Sequence, residues 1–294
     1  MSVTTSIRKN ASLEGPEYVS AQVSTLSSAA TKRATRRRTP MLNVVGQVLT
    51  VVPPLVLALL LFVSWYITTA TGRVSSLFLP KPGDVFASLS DGIASGMYLS
   101  NTLVTVQESV LGFLIALAIA LPLGYGIAKS RLLAVTIQPY LSAGQAIPAI
   151  VIAPLLILWL GYGILPNVVI CALVVLFPMV INTILGVQTI DRALIDAAHV
   201  EGAAGWSLLA HIEFPLALPA LLAAVRSGFT LSIVGALVGE VVSGGDSGLG
   251  SLVLLAKNQY NTPFMFATLV VLAALAALYY GTTWFLVKLA EIVY

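Results

Sequence analysis

Long apolar runs broken by short polar stretches dominate this chain. Residues 41–72 carry no charge, enough for one membrane span of about 20 apolar residues. The pattern places that span near 48–69, with Pro53 and Pro54 in its first turns, where proline is tolerated. Glu108 and Lys129 bracket a second run, giving a span near 104–127. Residues 132–190 are free of charge over 59 positions, enough for two spans, near 138–160 and 165–188. Gly161-Tyr162-Gly163-Ile164-Leu165-Pro166 supplies the turn between them. A fifth span near 216–241 and a sixth near 263–288 complete the set. The runs are continuous and lack the period-two alternation of barrel strands, so the pattern predicts an all-α membrane protein of six transmembrane helices. A helix also satisfies its own backbone in lipid.

Composition agrees and narrows the class. Hydrophobic residues make up 58% of the 294, charged residues 9%, and the mean hydropathy is +0.96. Soluble domains carry about 25% charge, so a water-soluble enzyme and a disordered chain are both excluded. Seven of the fifteen Lys/Arg residues precede Thr39. Residues 1–40 therefore read as a disordered basic tail that anchors topology, and 41–294 as the membrane domain. The alternative for the basic run, nucleic-acid binding, is the weaker reading. With the N-terminus inside, eleven Lys/Arg residues face the cytoplasm and three (Arg73, Lys81, Lys257) face out, which places both termini in the cytoplasm.

The loop over 189–215 breaks the pattern. It lies on the cytoplasmic side but carries Asp191, Asp196, Glu201 and Glu213 against Arg192. Its first part predicts a short helix with Leu194, Ala197, Ala198 and Glu201 on one face. Small side chains there let another surface approach closely, and Gly202 permits a sharp exit. The loop is a docking element for a soluble partner.

Asp196-Ala197-Ala198, Gly202, Ile212 and Phe214-Pro215 resemble the EAA motif of bacterial ABC-importer permeases, in which Glu-Ala-Ala is followed at fixed spacing by Gly and Ile-x-Leu-Pro. Asp196 stands for the glutamate and Phe214 for the leucine. Further segments are similar to the nitrate/sulfonate/taurine group of these permeases, which includes transporters of riboflavin and of thiamine's pyrimidine precursor. They are Leu79-Pro80-Lys81-Pro82, Pro148 to Gly163, Phe177-Pro178, Asn182-Thr183, and Glu240 with Ser247-Gly248-Leu249-Gly250; together the likeness covers about 75–290. The resemblance implies a type I permease with a cytoplasmic coupling helix, in which Asp196, Ala197, Ala198, Glu201 and Gly202 meet the ATP-binding subunit. It implies a dimer of such chains in a prokaryotic inner membrane. It also implies a dimer of ATPase subunits holding ATP and Mg, and an extracytoplasmic solute-binding protein. The chain itself would need no cofactor and catalyse no reaction.

Other polar residues leave choices open. Gln145, Pro148 and Asn182 are candidates for the pathway or its gate, or for contacts between helices. Arg226 and Glu240 lie fourteen residues apart, about 21 Å along a helix, so they do not pair within it. Arg226 either snorkels to the cytoplasm or lines the path, and Glu240 serves structure, gating or substrate contact. Cys171 reads as a small buried hydrophobe. His199 and His211 have no companions at metal-ligand spacing. Gly124 to Ser130 falls short of a phosphate-binding loop. No internal repeat or catalytic dyad stands out. The competing function is an autonomous channel or secondary carrier, which would transport without ATP.

Overall fold

The structure is a computed structural model and describes residues 40–293, leaving out Asp246 and the side chains of 40–51, 286 and 289–293. The tail expected over 1–40 lies, but for Pro40, outside the described residues. By its internal contacts the chain forms two units, Met1–Trp65 and Tyr66–Tyr294. Within the first runs most of α1, a helix over Pro40–Ala70. It begins well before the expected residue 48, so Pro53 and Pro54 fall in its interior rather than its first turns. Phe62 and Trp65 pack edge-on at 5.9 Å.

The second unit contains α2 (Pro82–Ala94), α3 (Met97–Lys129), α4 (Arg131–Ala146), α5 (Ala149–Leu160) and α6 (Ile164–Gln188). It continues with α7 (Arg192–Val200), α8 (Gly205–Leu208), a π-helical turn (Leu209–Glu213), α9 (Phe214–Ser243), α10 (Leu249–Asn258) and α11 (Thr262–Val293). Among the described residues, five helices are long and apolar enough to cross a membrane, and the α4–α5 pair makes up to six. The third span, expected near 138–160 with Pro139, Pro148 and Pro154 as kinks, is broken in two: α4 and α5 meet at 94°. The cause is Ile147-Pro148. Proline disfavours the helical conformation of the residue before it and offers no N–H of its own. Ile147 accordingly sits extended at φ −82°, ψ 117°. Pro122, Pro178 and Pro219 lie inside α3, α6 and α9 without ending them.

α6 is the centre of the bundle, packed between α3 and α9. Small residues set this closeness. Cys171 is fully buried on α6, with Gly112 of α3 on one side and Gly235 of α9 on the other. A Cβ on Gly235 would stand 2.6 Å from the Cys171 Cα, and one on Gly112 2.5 Å from its Sγ. The thiol donates to the Ser232 carbonyl at 3.2 Å, so Cys171 is the buried small residue its apolar context suggested. Phe113, Ala116, Ala120, Val175, Met179 and Val180 belong to the main apolar core of the bundle. Phe229 joins three helices, edge-on to Phe113 at 5.1 Å and stacked on Tyr279 at 4.3 Å. Outward side chains such as Leu103, Leu114 and Ile119 of α3 are exposed, as a lipid-facing surface requires.

Candidate functional site

One end of the bundle carries α7, between the end of α6 and the start of α9. Asp191 caps the helix, its Oδ1 accepting from the Ala193 amide at 2.9 Å, which satisfies one of the free N–H groups of a first turn. Gly202, at φ +89°, ends it. Its N–H donates to the His199 carbonyl and that of Ala203 to the Ala198 carbonyl, a closure that favours glycine at the left-handed position. Asp196, Ala197, Glu201 and Gly202 are exposed, as are Val200 and Trp206. The expected small-residue face is not wholly free. Leu194, Ala197, Ala198 and Glu201 line a groove of about 320 Å³ whose other wall is Ile212 of the π-helical turn with Pro215 and Leu216 at the start of α9. Ala198 is buried there, at 7% exposure. The helix is held to the bundle by Ile195, which packs on Ile190, Ala217 and Leu221.

At the α4–α5 break lies a cavity of about 570 Å³. Gln145 and Pro148 line it with Ile150, Phe177, Pro178 and Val234. Gln145 is the one side chain with an amide in this wall, and no charged group lines it. Irregular backbone is tolerated at membrane depth where it lines a cavity. Asn182 lines a separate hollow of about 340 Å³ between α6 and α9. Arg226 borders neither space: its guanidinium lies 4.5 Å over the Tyr280 ring of α11, a cation–π contact.

The opposite end holds a buried polar cluster, and Glu240 is its hub. Its Oε1 accepts from Thr105 Oγ1 at 2.6 Å, and its Oε2 accepts from the Gly250 amide. The Leu249 amide donates to Thr105 Oγ1 at 2.9 Å, and the Gly248 amide to Asn101 Oδ1 at 2.8 Å. Side chains of α3 and α9 thus take up the free amides at the start of α10. Gly248 leaves room for this, since a Cβ there would collide with the Glu240 carboxylate. Glu108, 2% exposed, accepts from Asn167 Nδ2 at 2.9 Å, while its other oxygen and Asn167 Oδ1 have no partner. The structure therefore brings Asp196, Ala197, Ala198, Glu201 and Gly202 together, and Gln145 with Pro148. Asn182, Arg226 and Glu240 each lie elsewhere.

Sequence reasoning passed over Glu108, Thr105, Asn167 and Glu213. Glu108 served as the edge of a span, yet it sits inside α3; an acid within an apolar helix is itself a signal. Glu213 read as one more charge of the loop. It is 1% exposed, with the Tyr125 hydroxyl donating to Oε2 at 2.6 Å and Lys129 paired with Oε1. Among the described residues no cluster of His, Cys, Asp or Glu is arranged to hold a metal.

A multi-pass helical bundle with a broken span over a cavity and an exposed short helix at one end has the form of a membrane translocation subunit. Residues 112–289 match the family described as binding-protein-dependent transport system inner membrane component. A riboflavin transport system permease protein of Chloroflexus aurantiacus is 39% identical over 222 residues, covering 76% of this chain and 82% of that one. An aliphatic sulfonates transport permease protein of Bacillus subtilis is 26% identical over 224 residues, 76% of this chain and 81% of that one. The inward-facing MetNI methionine ABC transporter matches in fold, with a TM-score of 0.58 at 21% identity over 63% of this chain and 92% of that one. The chain belongs to the binding-protein-dependent transport permeases of the inner membrane and is a permease subunit of an ABC importer.

Proposed function

We propose that two copies of this chain form the pathway of an importer for a small heteroaromatic solute of the riboflavin kind. A dimer of ATP-binding subunits works from the cytoplasmic side, and a solute-binding protein delivers from the other. The observation that carries the reading is α7. It is short, capped at both ends and exposed, and it bears Asp196, Ala197, Ala198, Glu201 and Gly202 between two spans. In this reading the groove beside Ala198 and the exposed Val200 and Trp206 receive the ATP-binding subunit. ATP binding closes the subunit pair, α7 moves with it, and the bundle switches between inward and outward access. ATP and Mg are held by that partner, with hydrolysis there and no cofactor in this chain. The Lys/Arg count puts α7 and both termini in the cytoplasm. Residues 41–294 form the permease domain and 1–40 a basic tail beside the membrane.

The cavity at the α4–α5 break supports the substrate class. Gln145 and Pro148 flank the pathway there and Asn182 lies further toward α7. Apolar walls with a single amide suit a neutral planar solute better than a sulfonate, whose charge calls for cationic or dipolar partners. The 39% identity to the riboflavin permease against 26% to the sulfonate permease points the same way. Arg226, tied to Tyr280, and Glu240, tied to α10, hold helices in place at the edge of the gate.

Proteoliposomes holding the chain with its ATP-binding subunit and binding protein test the reading. Uptake of a labelled flavin that requires ATP and all three components is expected, with weak uptake of an alkanesulfonate. Uptake by the chain alone, without ATP, would establish the autonomous-carrier alternative instead.

A further inference from the structure

The loop that carries α7 has a second attachment to the bundle, at its return limb. The segment Leu209–Glu213 is a π-helical turn, closed by the Phe214 amide on the Leu209 carbonyl. A helix advances about 100° per residue, so the additional residue of a π turn rotates the rest of the helix by that amount. Glu213 faces inward onto α3 and is 1% exposed. Tyr125 and Lys129, its two partners, stand four residues apart on one face of the last turns of α3. Each carboxylate oxygen has its own donor. The first limb of the loop, by contrast, is held at Ile195 by apolar packing, which has no preferred direction. A buried carboxylate is costly to part from its cation, so this second attachment fixes both distance and orientation. It also joins the start of α9 to α3, whereas α7 itself packs near the end of α6 and the start of α9.

We propose that Glu213 is a positioning residue for transport: with Tyr125 and Lys129 it couples the loop to α3, so that displacement of α7 carries α3 along with α9. The proposal rests on the reading of α7 as the docking helix of the ATP-binding subunit. Glu213 falls on the variable x of Ile-x-Leu-Pro, so the motif did not single it out.

The test uses the full complex in proteoliposomes, comparing wild type with E213Q, K129M, K129R and Y125F. Three quantities are read: ATP-binding subunit retained on purification, ATP hydrolysed, and solute moved per ATP. E213Q and K129M are expected to keep the subunit and to hydrolyse ATP within about twofold of wild type, while solute moved per ATP falls about tenfold, the range of a typical coupling free energy. K129R should restore most of the ratio, because the cation remains. Y125F, which keeps the ring, should lower the ratio by about threefold and remains readable if E213Q does not assemble. An unchanged ratio in E213Q and K129M, or in Y125F where those do not assemble, overturns the link. So does a loss in which assembly, hydrolysis and uptake fall in step. A wild-type chain that retains no ATP-binding subunit overturns the docking reading, and the link with it.

Discussion

Replacing Thr105 by valine isolates the polar latch that holds α10 to the bundle. The two side chains have nearly the same shape, so the change removes a hydroxyl and opens no cavity. Thr105 Oγ1 has two neighbours as acceptors, Glu240 Oε1 at 2.6 Å and the Asn101 carbonyl at 3.2 Å. Its one proton goes to the nearer, carboxylate oxygen. The same oxygen accepts from the Leu249 amide at 2.9 Å. Thr105, Leu249 and Glu240 are all fully buried, so water cannot replace what is lost. An orphaned buried amide costs about 1–3 kcal/mol, and a lost hydrogen bond to a charged acceptor about 1.5–3 kcal/mol. The sum is about 4 kcal/mol, which lowers the melting temperature by about 10 °C for a chain of this size. Thr105→Ser keeps the hydroxyl and removes one methyl group, for about 1 kcal/mol. The assay is thermal unfolding of the purified chain in detergent, read by loss of the monodisperse peak. A Thr105→Val protein melting within about 2 °C of wild type, or no lower than Thr105→Ser, would refute the hydrogen-bond accounting.

Separate parts of the molecule give further expected outcomes. Gly235→Ala places a methyl group 2.6 Å from the Cys171 Cα; overpacking of about 1–3 kcal/mol is expected, seen as a lower melting temperature, and a neutral result would mean that α6 and α9 separate freely. Ala198→Trp fills the groove beside α7 and buries bulk where exposure is 7%, so the ATP-binding subunit should be lost on co-purification and ATP-driven uptake with it. Val234→Trp narrows the cavity at the broken span; uptake should fall about tenfold, equivalent to about 1.4 kcal/mol, with the ATP-binding subunit still bound, and unchanged uptake would place the pathway elsewhere.

Different parts of this fold were readable from the chain to different depths. The helices α6, α9 and α11 fell where long apolar runs placed them, α9 despite Arg226 and Glu240 within it, because transfer of apolar side chains to lipid depends mainly on local composition. α7 was legible at its exit, since Gly202 acts on its own neighbours in sequence; Asp191, read only as a loop charge, proved to be its equally local cap. The break between α4 and α5 was half legible. Pro148 announced a kink among several prolines, but Pro122 and Pro178 look no different in sequence and leave their helices whole. Which proline breaks its helix depends on what the freed backbone faces, and at Pro148 it faces a cavity.

By itself the sequence determined the class: a multi-pass helical membrane protein with a short acidic helical loop between its fourth and fifth apolar runs. Those are properties of composition and of short spacings. Tertiary structure alone decided the polar pairings. Thr105 and Glu240 are 135 residues apart, Tyr125 and Glu213 88, and Asn167 and Glu108 59. Hydropathy ranks each of these groups as an expense in its own helix. Their use emerges when α3, α6 and α9 pack closely enough, across Gly112, Cys171 and Gly235, to bring a donor to each carboxylate. It also decided that half of the small face of α7 is turned toward α9, because rotation about a helix axis is set by what the helix packs against.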